Sequence, residues 1–233
     1  MLISIIIPTL NEQRRLPRCL ARVQFLQATE GPLETIVVDG GSVDGTQDSA
    51  HLADRLIVSA PGKGIQCNVG ARAATGEILF FLHATISVPV GALTSIRKTV
   101  SDGYVGGGFN NRFVGVDDKT LRLRRILALG AANPANKDNL NFYGDNGIFV
   151  RKDIFNALNG FKEIEIMEDY DFSKRLQAKY SVKRILEPRL SVSPRRQLKG
   201  GFVKTRLQWI TIHTLYNLGV SPKRLKRLYA DVR

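Results

Sequence analysis

The first third of the chain alternates between two hydrophobic periods. Leu2–Ile7 is a continuous apolar, β-branched run closed by Pro8, the pattern of a strand buried on both faces. Arg14 to Gln27 then carries Leu16, Leu20, Val23 and Leu26 at helical spacing with polar residues between them. Thr35–Val38 is a second buried strand ending at Asp39, and Asp44-Gly45-Thr46 predicts a turn entering a further helix. Arg55–Val58 reads as a third strand, Gln66–Thr75 as a short helix ending at Gly76, and Ile78–Leu82 as a fourth strand. Such alternation through short connections predicts an α/β fold, with a mostly parallel central sheet flanked by helices.

Beyond residue 90 the pattern loosens. Val90–Val100 has a helical period, and Tyr104–Phe113 predicts a strand. Gly106-Gly107-Gly108 inside that strand implies a bulge or the close approach of another backbone. Leu121–Ala132 is helical by period, Gly147–Val150 a strand, Ile154–Leu158 a short helix stopped by Asn159-Gly160, and Asp169–Lys179 another helix. Ser221-Pro222 starts a last helix, with the hydroxyl at the N-cap and proline at the first helical position. Its Leu225, Leu228, Tyr229 and Val232 form one face, and Lys223, Arg224, Lys226 and Arg227 the other. Phe202–Val220 mixes Trp209, Ile210, Ile212, Leu215 and Tyr216 with Lys204 and Arg206. Apolar residues on several of its sides favour packing on the domain over lying at a membrane surface. No internal repeat, low-complexity segment or linker divides the chain.

Composition narrows the setting. A 233-residue chain with 43% apolar and 24% charged residues buries a core without staples. Its 2 cysteines, Cys19 and Cys67, make no disulfide framework, which points to a reducing compartment. No basic leader region follows Met1, so a cytoplasmic protein is expected. No run of about 18 apolar residues exists, which rules out an ordinary membrane-spanning helix. The net charge is +13, and residues 195–233 hold ten Lys or Arg against the single acid Asp231, +9 of that total. A basic end of this kind suits nucleic acid, an anionic membrane surface or a polyphosphate ligand.

In an open parallel sheet, ligands bind beyond the carboxyl ends of the strands. Those ends carry Pro8-Thr9-Leu10-Asn11-Glu12, Asp39-Gly40-Gly41-Ser42-Val43-Asp44-Gly45-Thr46 and His83-Ala84-Thr85. Each is ordinary alone, since an Asp after a strand is commonly a turn former. Projected onto one edge, the three make a site. No G-x-x-x-x-G-K-[ST] is present and no G-x-G-x-x-G follows a strand, which removes the main support for P-loop and dinucleotide readings. Gly62-Lys63-Gly64 sets a cation on a flexible turn, ahead of Asn68 and Arg72 at helical i, i+4 spacing.

The ordered set Ile5-Ile6-Ile7-Pro8-Thr9-Leu10-Asn11-Glu12, Val37-Val38-Asp39-Gly40-Gly41-Ser42, Asp44-Gly45-Thr46, Gly62-Lys63-Gly64 and Met167-Glu168-Asp169-Tyr170-Asp171 resembles the family 2 glycosyltransferases. The resemblance covers about residues 2 to 190. Leu82-His83-Ala84, Tyr143-Gly144-Asp145-Asn146-Gly147 and Leu218-Gly219-Val220-Ser221-Pro222 are closest to a small bacterial subgroup with a Leu-His-Ala variant. The resemblance implies a GT-A fold and an inverting transfer from a nucleotide-diphosphate sugar, UDP-linked in the first instance, to a hydroxyl acceptor. It implies a catalytic domain over residues 1–194, with a nucleotide-binding half to about residue 90 and an acceptor half from 91 to 194. Residues 195–233 would form a basic helical extension. It further implies that Pro8, Thr9, Asn11 and Glu12 line the nucleoside pocket, that Asp39 bonds base or ribose, and that Lys63, Asn68, Arg72 and His83 lie near the nucleotide. Glu168 and Asp169 match the motif that supplies the base, with Asp169 as the proton acceptor. Such a base must be an ionised carboxylate near the acceptor hydroxyl, and a helix start favours the anion. The same position suits a plain helix cap.

Two departures leave roles open. His83-Ala84-Thr85 stands where the family carries Asp-x-Asp, whose last carboxylate binds Mn²⁺ or Mg²⁺. Weak metal binding through His83 and replacement of the metal by protein cations are both open. Arg195-Arg196-Gln197 stands where some relatives have an Arg-Trp pair, so Arg195 and Arg196 are candidates for the diphosphate, and Asp145 for donor sugar or acceptor. Three readings compete: the transferase, a nucleotidyltransferase, and a catalytically silent GT-A-fold protein using its basic end on anionic lipid or nucleic acid. Pro8–Glu12 lacks the glycines a nucleotidyltransferase loop wants, and Glu168-Asp169 argues against the silent protein. Peripheral attachment to the inner face of a membrane through residues 195–233 is expected before nucleic-acid binding. Homo-oligomer formation is left open.

Overall fold

Consecutive residues of β1 (Ile3–Thr9) serve two different cores. Ile3, Ile5 and Ile7 pack into one, and Ile6 into the other. β2 (Leu33–Asp39) divides Val37 from Ile36 and Val38 in the same way, and β4 (Ile78–Phe81) divides Ile78 and Phe80 from Leu79 and Phe81. Unbroken apolar runs are what a sheet covered on both faces requires. The computed structural model describes residues 1–115, 140–194, 198 and 200–229. The remaining strands are β3 (Arg55–Val58), β5 (Ile86–Ser87), β6 (Gly106–Phe113), β7 (Phe149–Arg151) and β8 (Val182–Val192). All eight join one sheet in the order β3-β2-β1-β4-β7-β6-β8-β5.

The pairings β3-β2, β2-β1, β1-β4 and β6-β8 are parallel, while β7 runs antiparallel to both its neighbours and β5 antiparallel to β8. The chain leaves β1 toward β2 and β3, then returns to the opposite side of β1 for β4. Strand order therefore reverses between β1 and β4, which opens a crevice at their carboxyl ends. α1 (Leu16–Glu30) and α3 (Ala92–Ser101) cover one face. α2 (Lys63–Ala73), α4 (Lys152–Ala157) and α5 (Glu168–Lys179) cover the other. α6 (Phe202–Asn217) and α7 (Pro222–Leu228) pack onto the start of α5, where Ile166, Met167, Tyr170, Ile212 and Leu225 form a third apolar cluster.

Several expectations need correction. Between β2 and β3 the described residues hold only a short 3-10 turn, Asp48–Ala50, not an α-helix. The Asp44 carboxylate accepts from the backbone N–H of Thr46 at 3.1 Å and of Gln13 at 3.3 Å, so this turn ties two loops together. α2 starts three residues before the periodic pattern, which puts Lys63 in its first turn. β8 and β5 were not expected. Lys183, Arg184, Glu187, Pro188 and Arg189 disguise β8, which nonetheless pairs along β6 with a register shift between Phe109 and Asn111. A Cβ at Gly107 would lie 1.9 Å from the Lys183 carbonyl oxygen, which explains the glycine there. The helix expected over Leu121–Ala132 lies outside the described residues.

Candidate functional site

The loops after β1 and β2 form one wall of the crevice by hydrogen-bonding to each other. Asp39, with no exposed surface, accepts from Thr9 Oγ1 (3.1 Å), Ser42 Oγ (2.5 Å), Gln47 Nε2 (3.0 Å) and the backbone N–H groups of Gly41 (3.1 Å) and Ser42 (2.8 Å). Burial raises its pKa, but these hydrogen bonds outweigh burial and hold it below the ordinary carboxylate value. Asp39 therefore shapes the loop that follows β2. Its oxygens thus hold the loop on which a base or ribose would rest. Asn11 adopts φ 56°, accepts from the Val43 N–H at 3.0 Å and donates its own N–H to Ser42 Oγ at 2.8 Å. The Glu12 N–H donates to Thr46 Oγ1 at 2.8 Å, and the Glu12 carboxylate pairs with Arg15 at 2.8 Å. Pro8 lies half-buried at the end of the same strand.

α2 is fastened to this wall by a residue for which no role was expected. Gln66 is buried and donates from Nε2 to the carbonyls of Thr9 at 2.7 Å and Val38 at 2.8 Å. A buried amide on a helix facing strand ends is the signal that marks it. Asn68 is also buried, and its amide forms a paired clamp with the Phe161 backbone, 2.9 Å in each direction. Arg72 is exposed and borders an open depression with Asn156, Asn159 and Glu163. The structure thus separates Asn68 and Arg72 from Lys63, which faces a different cavity.

That cavity, of about 20 Å³, is lined by Lys63, Cys67, Phe81, His83, Gly144, Ile148, Phe161, Glu168 and Asp169. It is about the size of one water molecule. A left-handed residue, Met167 at φ 74°, turns the chain into α5 and stands as its N-cap without a side-chain cap bond. Asp169 is therefore not the helix cap. Its Oδ2 accepts from the Gly144 N–H at 2.7 Å and its Oδ1 from the Tyr170 N–H at 2.7 Å. A Cβ at Gly144 would sit 2.5 Å from His83 Nε2 and 3.5 Å from Asp169 Oδ2, so only glycine fits between the two side chains. Atoms packed around His83 push its pKa down to about 3, and the Lys63 charge adds to this, so the ring is neutral. Glu168 is 8% exposed. Burial first, then the adjacent Asp169, push its pKa up to about 7, against the pull of Lys63. Asp171 takes no part here: it is held by Lys162 at 2.7 Å and Arg175 at 2.6 Å.

The C-terminal helices close one side of the crevice with aromatic rings. Tyr143 stacks on Tyr170 at 6.2 Å between centroids, and His213 of α6 meets both edge-on at 5.3 and 4.7 Å. The Tyr143 hydroxyl is pushed up by burial and then by Asp169, and the His213 ring is pushed down by burial although Asp169 opposes this. Tyr143 and His213 thus belong to the surroundings of Asp169. Nothing in sequence spacing distinguished His213 from the other residues of a mixed helix. Asp145 is exposed on the rim, where Asn111 donates to it at 3.2 Å. Arg195 and Arg196 lie outside the described residues.

A divalent cation finds a poor donor set. Among the described residues, no group of three or more His, Cys, Asp or Glu could hold a metal ion. The strand-four position offers an imidazole beside an ammonium where Mg²⁺ or Mn²⁺ would want several oxygens.

Comparison with known proteins agrees with this architecture. A glycosyltransferase of PGL/p-HBAD biosynthesis from Mycobacterium tuberculosis is 42% identical over a stretch covering 36% of this chain and 36% of its own length. The shared stretch is thus about a third of that relative. The solved mannosyltransferase PcManGT from Pyrobaculum calidifontis, in complex with GDP-Man and Mn²⁺, superposes with a TM-score of 0.69 at 19% identity, over 97% of this chain and 67% of that one. S. aureus TarS in complex with UDP-GlcNAc superposes at 0.60 and 19% identity, over 83% of this chain and 58% of that one. Both share its GT-A fold. The model of the family described as Glycosyl transferase family 2 matches residues 4–158, and the chain belongs to that family.

Proposed function

We propose that the protein transfers a sugar from a nucleotide-diphosphate donor, UDP-linked in the first instance, to a hydroxyl acceptor with inversion at the anomeric carbon. The observation that carries this reading is the meeting of Asp169, Glu168, Lys63 and His83 around one cavity at the carboxyl edge of the sheet. Family membership supports it, as do the nucleotide sugars bound by the two solved neighbours. In the reaction, the acceptor oxygen forms a bond to the anomeric carbon while the bond from that carbon to the diphosphate oxygen breaks. The electron pair leaves with the nucleoside diphosphate, and the acceptor proton passes to Asp169. Two backbone N–H donors orient the Asp169 carboxylate for this step. The wall built on Thr9, Asn11, Glu12 and Asp39 would hold the nucleoside. Residues 1–194 act as the catalytic unit in this reading, with 195–233 as an extension on its acceptor side.

The extension also supports attachment to an anionic membrane surface. Val203, Leu207 and Ile210 are exposed at one face of α6, and Lys204, Lys223, Arg224 and Arg227 lie in α6 and α7. An apolar face bordered by cations suits anionic phospholipid.

Replacing Asp169 by Asn tests the reaction. Turnover of a UDP- or GDP-sugar should fall by about 100-fold or more with donor KM little changed, since only proton transfer is lost. NMR of the product should show the anomeric configuration opposite to the donor's. Near-wild-type turnover by the variant, or retention of configuration, contradicts the mechanism.

A further inference from the structure

We infer that Lys63 is the resident cation for the donor's diphosphate, in the role a divalent metal takes where strand four ends in Asp-x-Asp. This rests on the transferase reading above. The sheet edge ends in His83-Ala84-Thr85, so the place where a metal-binding carboxylate would stand holds a neutral imidazole. Lys63 lines the same cavity, and its charge is felt by three of the other lining residues, His83, Glu168 and Cys67. The remaining oxygens suit a metal poorly. Asp169 already accepts one backbone N–H on each oxygen.

Glu168 lines the same cavity and is 8% exposed. A carboxylate this buried is favoured by a nearby cation, and the Lys63 charge acts on it in that sense. The ammonium draws a diphosphate and opposes a doubly charged metal, while the carboxylates of Asp169 and Glu168 act in the other direction, so the diphosphate is placed on the Lys63 side of the cavity. Lys63 is also in the first turn of an eleven-residue helix, so the positive end of α2 acts in the same direction. Gln66, one turn on, fixes that helix end to β1 and β2 and so fixes where the Lys63 side chain starts. As the bond to the sugar breaks, charge grows on the diphosphate oxygen, and a cation held in place stabilises it without moving.

Calorimetric titration with UDP and GDP, in EDTA and in Mn²⁺, tests this on wild type, Lys63→Arg and Lys63→Met. UMP and GMP serve as probes lacking the second phosphate. Wild type should bind its preferred diphosphate in EDTA within about threefold of its affinity in Mn²⁺. Lys63→Met should weaken diphosphate binding by about tenfold or more, as loss of a charge-assisted bond does, and leave the monophosphate unchanged. Lys63→Arg should recover most of the loss. Diphosphate binding that vanishes in EDTA and returns with Mn²⁺ would overturn the inference while leaving the transferase reading intact. Equal diphosphate binding by wild type and Lys63→Met would overturn it in the same way. Absence of binding by every nucleotide under every condition would overturn both.

Discussion

The acidic pair that opens α5 has two members with different surroundings. Asp169 is half-buried and oriented by the N–H groups of Gly144 and Tyr170, while Glu168 is buried among Cys67, Phe81 and Phe161. Met167 ahead of them is held in a left-handed conformation, which costs a non-glycine residue about 1–3 kcal/mol and is tolerated where geometry matters. Glu168 also sets a pH dependence. Its folded pKa of about 7 lies above its unfolded value, so the folded state binds the extra proton. Its contribution is complete at acid pH below the unfolded value and is lost as pH rises through about 7. Glu168→Gln should flatten the fall in urea midpoint between weakly acid and weakly alkaline pH; an unchanged slope in the variant would contradict the assignment. The facing groups are Asp169, Lys63 and Lys226, and Asp39 and Asp171 act oppositely, at lower pH, because their folded values are depressed. At this scale the sequence motifs mark loops that the structure brings to one edge, but not the partners of each side chain. Asn68 and Asn146 spend polar atoms on backbone groups of other segments, and such partners are set by tertiary contact.

Among the elements, the strands with unbroken apolar runs were legible because both faces of the sheet are covered. β8 was not, since its charged residues and Pro188 break the apolar run, and its pairing with β6 spans a large sequence separation. α2 starts a turn ahead of its apolar pattern because its buried face uses Gly64, Gln66 and Asn68, which give no apolar period. α6 shows the same limit in another form. Ile212 is buried and His213 meets the Tyr143 and Tyr170 rings, while Leu207 is 58% and Ile210 48% exposed on the outer side. Packing and an outward apolar face thus coexist in one helix. If that face meets anionic lipid, the protein should sediment with phosphatidylserine-containing vesicles at low salt and be released at high salt. Leu207→Glu combined with Ile210→Glu should remove sedimentation at low salt without loss of fold. Failure of the wild type to sediment at low salt would contradict membrane attachment.

Across the whole molecule, one topological fact organises the rest. The reversal of strand order between β1 and β4 brings the loops after β1, β2 and β4 to a common edge, and β7 with its preceding turn adds Gly144 and Asp145 beside them. α5 and the C-terminal helices then supply the acid pair and an aromatic wall. Part of the net charge of +13 is carried by Lys63 inside and by α6 and α7 outside, which suits a diphosphate donor on one side and an anionic surface on the other. The order of motifs in the sequence disclosed this edge. The closing over of the crevice by α6 was not disclosed, because no local pattern encodes which helix covers a site. Binding of a nucleotide-diphosphate sugar at this edge is measured by calorimetric titration of the full chain with UDP-, GDP- and CDP-sugars. Saturable one-to-one binding of one nucleotide class is expected, abolished when Asp39→Ala releases the loop after β2 in a protein that still unfolds cooperatively. Absence of binding by all three classes, or binding that Asp39→Ala leaves untouched, would contradict it.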